Sequence, residues 1–377
     1  MGKRIGRLSK GWLITGLIGG VLLGSEPLGW IAVPVHAATE PATVTTSKQL
    51  QTKLAEGMEA RSTTITLKYK GSTKNLEKQL KQAVNDALDA DPYTKYIVDR
   101  YVYSWRGTTG SAKITLQVHY RETAQQTAYV RQRVKEILTQ VIEPGMNAHQ
   151  KIKAIHDYVV LNLKYDTDLQ KYTAYEGLKT GEAVCQGYAL LTYELLKEAG
   201  IENRLVEGTA GDQLHAWNLV RLDNRWYHLD TTWDDPVPDV PKRVSYAYYL
   251  RTDAQMRVDH VWIAANYPSA SVTYLKTLQA LIEAGGTKKD AYLGLKTALG
   301  YDLYDADSAV FNAKGLADRV KNGLKAGKGT VTVRYAGSDE QLLEDLAGLY
   351  DLGIRNIRYL MEPLEGTEDL RVEIHWE

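Results

Sequence analysis

Cys185 is the only cysteine in a sequence of 377 residues, so it cannot close an internal disulfide. Its surroundings, "GEAVCQGYALLTYELLKEAGI" (181–201), predict a helix that begins at or near the thiol. Leu190, Leu191, Tyr193, Leu195 and Leu196 supply the apolar positions, and Ala199-Gly200 supplies the stop. At a helix start, unpaired amides and the helix dipole favour a thiolate. The competing role is that of a small apolar filler, common among free cysteines. Gly187 permits another backbone to come close.

A cysteine nucleophile needs a base, and the base needs an orienting group. "LHAWNLVRLDNRWYHLDTTWDDP" (214–236) offers both, with Asp223-Asn224 as a two-residue turn between two strands. That turn sets Arg221 opposite Trp226, Leu219 opposite His228, Trp217 opposite Asp230 and His215 opposite Thr232. His215 and Asp230 then share a face as diagonal neighbours, with Cβ atoms about 7–8 Å apart. His228 lies on this face too and competes for the role of base. It has Leu219 opposite and no carboxylate as well placed, so it ranks below His215. Asn218 points to the other face and receives no catalytic role.

With these residues in view, "EAVCQGYALLTYELLKEAGIENRLVEG" followed by "HAWNLVRLDNRWYHLDTTWDDP" resembles the transglutaminase-like superfamily, of papain-like fold, in its bacterial exported branch. "IHDYVVLNLKYD", "AYEGLKTGEAVC" and "YYLRTDAQMRVDHVW" fit the same pattern, so the resemblance covers residues 126–268. It places the family's Cys, His and Asp on Cys185, His215 and Asp230. It implies attack by the Cys185 thiolate on a glutamine carboxamide or a peptide bond. His215 would move the proton, and Asp230 would fix the imidazole. The Cys185 amide would contribute to an oxyanion hole, with Gln186 and Tyr175 as candidates for the second donor. Trp217 and Trp233 flank the pair as packing around the substrate site. The acyl-enzyme can be resolved by an amine or by water, so cross-linking, peptidase and deamidase outcomes all remain open. No cofactor is implied.

The elements that position this centre fall into a larger plan. "STTITLKYK" (62–70) alternates as a strand does, and Leu76, Leu80, Val84 and Leu88 recur at helical spacing. "YIVDRYVYSW" and "SAKITLQVHYRE" read as two further strands around the turn "RGTTG". Residues 329–377 repeat this order: "TITLKYKGS" matches "VTVRYAGSD", and "KITLQVHY" matches "LRVEIHW". The expected fold is α+β, a papain-like transglutaminase core flanked by two small β-α-β-β modules. Residues 1–37 are a signal peptide, 38–125 the N-terminal module and 126–268 the catalytic core. Residues 269–377 are a helical linker and the C-terminal module. Residues 38–47 read as a polar linker, and 271–327 as mostly helical with glycine-rich breaks.

In the core, Ile152, Ile155, Val159 and Leu163 mark a helix that carries His149 and His156. Neither histidine has a carboxylate at ligand spacing, so both read as packed or solvated. There is no CxxC or HExxH, and "YDLYDADSA" (301–309) lacks the residue order of a calcium loop. No metal site is expected, and the acidic stretch reads as a solvated loop.

Forty-six basic and 46 acidic residues cancel, so no global field recruits nucleic acid. Tyr 25, Trp 8 and Phe 1 show tyrosine supplying much of the aromatic bulk. Lys3, Arg4, Arg7 and Lys10 precede the apolar run "GWLITGLIGGVLLG", and "VHA" (35–37) fits a cleavage site. Secretion or attachment to the cell envelope is therefore expected, with cleavage near Ala37 and no membrane association afterwards. The partner would be a protein or peptide substrate, with a place at the cell wall. An exported protein uses structural cysteines in pairs, which strengthens the case for a reactive Cys185. Two other classes compete. One is a non-enzymatic cell-surface binding or scaffold protein built on a transglutaminase-like core. The other is a lone cysteine that bridges two chains.

Overall fold

The computed structural model describes residues 40–238, 240 and 242–377. The signal-peptide expectation therefore lies outside the described residues. The chain divides after Ser271 into two compact units.

The first unit opens with β1 (Ala42–Val44), α1 (Ser47–Glu59), β2 (Thr64–Lys70), α2 (Leu76–Asp89), α3 (Pro92–Ile97), β3 (Val98–Thr108) and β4 (Ser111–Tyr120). The sheet order is β1-β2-β4-β3, with β1 parallel to β2 and the other pairs antiparallel. The region expected to be linker thus holds a strand, followed by a helix that Thr46 caps by accepting the Gln49 amide. "YIVDRYVYSW" is not one strand. Asp91 caps a short helix with Pro92 in its first turn, and β3 begins only at Val98.

In the core, α4 (Ala124–Val141), α5 (Ala148–Asn162), β5 (Lys164–Tyr165), α6 (Ala174–Thr180), β6 (Glu182–Ala183) and α7 (Cys185–Glu198) precede the sheet. The sheet comprises β7 (Asn203–Ala210), β8 (Gln213–Leu222), β9 (Arg225–Leu229) and, after α8 (Asp253–Met256), β10 (His260–Trp262). It is antiparallel in the order β10-β7-β8-β9. Helix α7 is buried on every side from Gln186 to Leu196. A helix buried all round is a core element. Each of its sequestered leucines stabilises the fold by roughly 1.5–3 kcal/mol. Cys185 therefore stands on the most firmly packed helix of the domain.

The second unit contains α9 (Tyr274–Ala284), α10 (Lys289–Ala298), β11 (Ala309–Val310), α11 (Ala313–Lys325), β12 (Thr330–Tyr335), α12 (Asp339–Ala347), β13 (Arg358–Pro363) and β14 (Leu370–His375). Its sheet order, β11-β12-β14-β13, reproduces that of the first module, including the parallel first pair. The β-α-β-β repeat extends one strand and one helix further toward the N-terminus than its sequence match, so β11 and α11 belong to the module. From Val44 to Leu80 and from Val310 to Leu346 the two copies align without a gap, 266 positions apart. Leu50 and Leu316, Leu54 and Val320, Leu67 and Val333, Tyr69 and Tyr335, and Leu76 and Leu342 are buried in both. In the acidic stretch 301–309, one turn of 3-10 helix forms and Asp305 pairs with Lys296.

Candidate active site

Short ladders and a knot of loop contacts place Cys185. β5 pairs in parallel with β6, which puts Tyr165 beside Ala183. The Asp166 amide donates to the Ala183 carbonyl at 2.9 Å, and the Val184 amide to the Lys171 carbonyl at 2.8 Å. The buried Asp166 carboxylate accepts the amides of Asp168, Gln170 and Lys171, which ties the loop ahead of α6. Gly187 is needed for close approach: a Cβ there would sit 2.6 Å from Ala183 Cβ and 3.1 Å from the Thr173 carbonyl. No side chain caps α7 and its first turn holds no acidic residue, so its amides and dipole remain available to an anion. Cys185 is partly exposed.

The β8-β9 hairpin has the expected register, with Leu219 opposite His228 and Arg221 opposite Trp226. Asp223 and Asn224 both take positive φ, +49° and +62°, as a type I′ turn requires. His215 Nε2 meets Asp230 Oδ2 at 2.5 Å. That leaves Nδ1 as the ring nitrogen for the thiol, and Cys185 lies near enough to help raise the imidazole. Burial works against the charged form of His215. The charge and hydrogen bond of Asp230, with a contribution from Cys185, outweigh it and push the imidazole up to about 10. Burial likewise opposes ionisation of Asp230, but His215 and then His260 hold its carboxyl well below the usual range. Its other oxygen, Oδ1, accepts the amides of Thr232 and Trp233 at 3.0 and 3.2 Å.

The rest of "DTTWDDP" fastens this acid to the surrounding helices. Thr231 bonds Thr192 of α7 at 3.1 Å, and Asp235 accepts the Tyr188 hydroxyl, also of α7, at 2.5 Å. Asp234 meets His156 Nε2 of α5 at 3.0 Å, and Asp157 meets its Nδ1 at 3.1 Å. His149 Nε2 meets Asp223 Oδ2 at 2.8 Å and fixes the hairpin tip to α5. Both α5 histidines therefore have carboxylate partners, contrary to the sequence expectation. The partners are remote in the chain, except for Asp157.

His228 is ruled out as the base by its bonding. Trp217 Nε1 donates to its Nδ1 at 2.9 Å, and its Nε2 faces Asp253 Oδ1 at 2.9 Å. Burial first, and then the nearness of His260 and Arg257, lower its pKa despite Asp253. Trp217 is buried and stacks on His215 with ring centroids 5.7 Å apart, so it is core rather than a substrate surface. Trp233 is half-buried and tilts over His215 at 6.2 Å. Asn218 has a part after all: its Nδ2 donates to the Ala189 carbonyl at 3.1 Å and locks β8 onto α7.

The two residues considered as second oxyanion donors make other contacts. Gln186 Nε2 donates to the Tyr96 carbonyl of α3 at 2.9 Å. The Tyr175 amide donates to Glu122 Oε1 at 3.2 Å, and its ring packs edge-on to Tyr129. Tyr165, absent from the sequence reading, is a phenol that burial and then the nearness of Cys185 push up to about 12. It stays protonated at neutral pH and can donate. His260 was also missed. It is fully buried, with Nε2 3.1 Å from Asp230 Oδ2 and Nδ1 2.5 Å from Asp259 Oδ1. The available signal was "DHVWI", a short alternating run whose inward positions include a histidine.

His215, Asp230 and His260 also bring potential metal-ligand atoms within 4.8 Å of one another. Both oxygens of Asp230 already accept N–H groups, so the cluster works as a hydrogen-bond chain from His215 through Asp230 and His260 to Asp259. No helix among the described residues is long and apolar enough to cross a membrane.

Residues 135–231 match the family model of the transglutaminase-like superfamily. The mouse kyphoscoliosis peptidase is 24% identical over 161 residues, 37% of this chain and 24% of the relative. The human kyphoscoliosis peptidase is 24% identical over 173 residues, 40% of this chain and 26% of the relative. The chain thus spans about a quarter of the length of these curated relatives. A solved TGase structure aligns over 51% of this chain and 59% of its own, at 12% identity and a TM-score of 0.27.

Proposed function

We propose, from the premise that the core of this chain is transglutaminase-like, that it is a thiol acyl-transfer enzyme acting on protein or peptide amides. One observation carries the proposal: the chain's sole thiol begins a buried helix and meets an imidazole that a buried carboxylate holds. In the proposed mechanism, His215 Nδ1 takes the proton of Cys185, and Sγ attacks the amide carbonyl. The Cys185 amide faces the developing oxyanion. Protonated His215 then gives its proton to the leaving amine, the C–N bond breaks, and a thioester remains on Cys185. Water or a second amine, deprotonated by His215, attacks the thioester and restores the thiol. Asp230 keeps Nε2 of His215 protonated throughout, so that Nδ1 exchanges the proton. Water as acceptor makes the enzyme a peptidase or deamidase, and an amine makes it a cross-linker. The curated relatives are peptidases by name. Export to the cell envelope, inferred from residues 1–37, belongs to the same proposal.

The test is incubation of wild type and Cys185→Ala with cell-envelope protein and a labelled primary amine. Amine incorporation identifies transfer, cleavage without incorporation a peptidase, and a mass gain at glutamine without incorporation deamidation. If wild type and Cys185→Ala behave alike in all three assays, the enzymatic reading fails and a binding role replaces it.

A further inference from the structure

Asp230 has one more partner than an orienting carboxylate requires. The Thr232 and Trp233 amides on Oδ1 already fix its plane. Oδ2 is shared between Nε2 of His215 at 2.5 Å and Nε2 of His260 at 3.1 Å. Behind His260, Asp259 Oδ1 lies 2.5 Å from Nδ1, and Asp259 Oδ2 accepts the Tyr248 hydroxyl at 2.5 Å. Resting on the acyl-transfer reading above, we propose that His260 is a positioning residue that acts through Asp230. By sharing Oδ2 it sets how firmly that oxygen holds the protonated His215.

A carboxylate oxygen divided between two donors attracts each less than an undivided one. An imidazolium held too firmly is a poor acid toward a leaving amine, and one held too loosely is a poor base toward a thiol. His260 sits where this balance can be set without touching substrate. It is wholly buried, and its ring lies 4.7 Å from that of Trp233 and 5.2 Å from that of Trp217. The titratable groups around it are Asp230, Asp259 and Tyr248, the His215 ring at 5.5 Å, and His228, which His260 helps to lower. Asp234 acts on the cluster through Tyr248, and Cys185 acts on it through His215.

Because Cys185 is the only thiol, alkylation by iodoacetamide reports on this site alone. In wild type the rate should rise in two steps with pH: one as the thiolate–imidazolium pair forms, and an upper one as His215 loses its proton. His260→Ala should move the upper step to higher pH by about one unit, measured by short pH jumps and, independently, by nitrogen-15 NMR of the His215 ring. His260→Gln, whose amide can donate to Oδ2, should return it toward wild type. Asp259→Asn weakens His260 as a donor without emptying its site, and should move the step the same way by less. It keeps the test available if His260→Ala fails to fold. An upper step that stays in place, or falls, in both His260→Ala and Asp259→Asn overturns the proposal. A wild type with one step at the ordinary cysteine position instead overturns the acyl-transfer reading, and the NMR titration of His215 then judges the sharing of Oδ2 alone.

Discussion

Two of the buried histidine–carboxylate pairs in the core serve opposite ends. His215 with Asp230 stands at the sheet end, beside a partly exposed thiol. His156 with Asp234 is sealed, and neither side chain reaches solvent. In both, burial opposes the imidazolium, and carboxylate partners outweigh burial to raise the histidine. The difference lies in the surplus of partners. Asp230 keeps three donors if His215 is removed: His260 and the amides of Thr232 and Trp233. Asp234 keeps the Tyr248 amide on Oδ1 if His156 is removed, but Oδ2 loses its imidazole and has no second ring to replace it among the described residues. The pair beside the thiol can lose its base and keep an imidazole on its acid, whereas the sealed pair keeps only neutral donors.

Replacing the base separates the two roles most sharply. His215→Ala should reduce acyl transfer by about 10⁴–10⁶-fold, as loss of a triad member does, with a comparatively small fall in the urea midpoint. His156→Ala should do the reverse. It leaves a buried carboxylate without its ion partner, at about 3–5 kcal/mol, while the folded fraction retains its alkylation profile at Cys185. If the two variants lost stability equally, the contrast in partner surplus would be wrong.

The pH dependence of unfolding sharpens the same contrast. A histidine raised by folding contributes stability that is complete below its unfolded value and is lost as pH rises through its folded value. For His215 the loss should run from about pH 6.5 to about pH 10, and for His156 upward from the same lower bound. Subtracting the urea stability of each His→Gln variant from that of wild type across this range isolates each contribution, and each difference should shrink as pH rises. A difference that grows with pH would reverse the assigned direction. The smallest effect is expected beside the thiol itself. Gln186→Ala removes one hydrogen bond to Tyr96 and should cost about 1 kcal/mol. It should leave turnover nearly unchanged, whereas loss of an oxyanion donor would cost about 10²–10³-fold.

The sequence disclosed what is local. The alternation of 214–230 and the Asp223-Asn224 turn determine which residues face each other, so the hairpin register and the His215–Asp230 neighbourhood could be read directly. The buried helix after Cys185 was legible from its leucines. His260 and the His156–Asp234 pair were not, because they join residues 30 and 78 positions from their partners through packing of separate elements. Strand β1 escaped notice because three residues, Ala42–Val44, become a strand only by pairing with β2. Helix α3 was hidden for another reason. Tyr96 and Ile97 favour strands, but the Asp91-Pro92 start, with Asp91 accepting the Thr94 amide, prevails over that preference.

The matched modules carry a consequence for how this chain reaches its native state. Strands β1 and β11 are short, pair in parallel with equivalent partners, and bring equivalent valines, Val44 and Val310, into equivalent cores. Each copy is therefore a template that the other copy's first strand and helix could occupy, and such misassembly is a characteristic failure of chains with duplicated domains. The long separation of the copies along the chain makes the correct local pairing the faster one. The divergence of "TITLKYK" from "TVTVRYA" acts in the same direction, as a guard on folding fidelity rather than on catalysis.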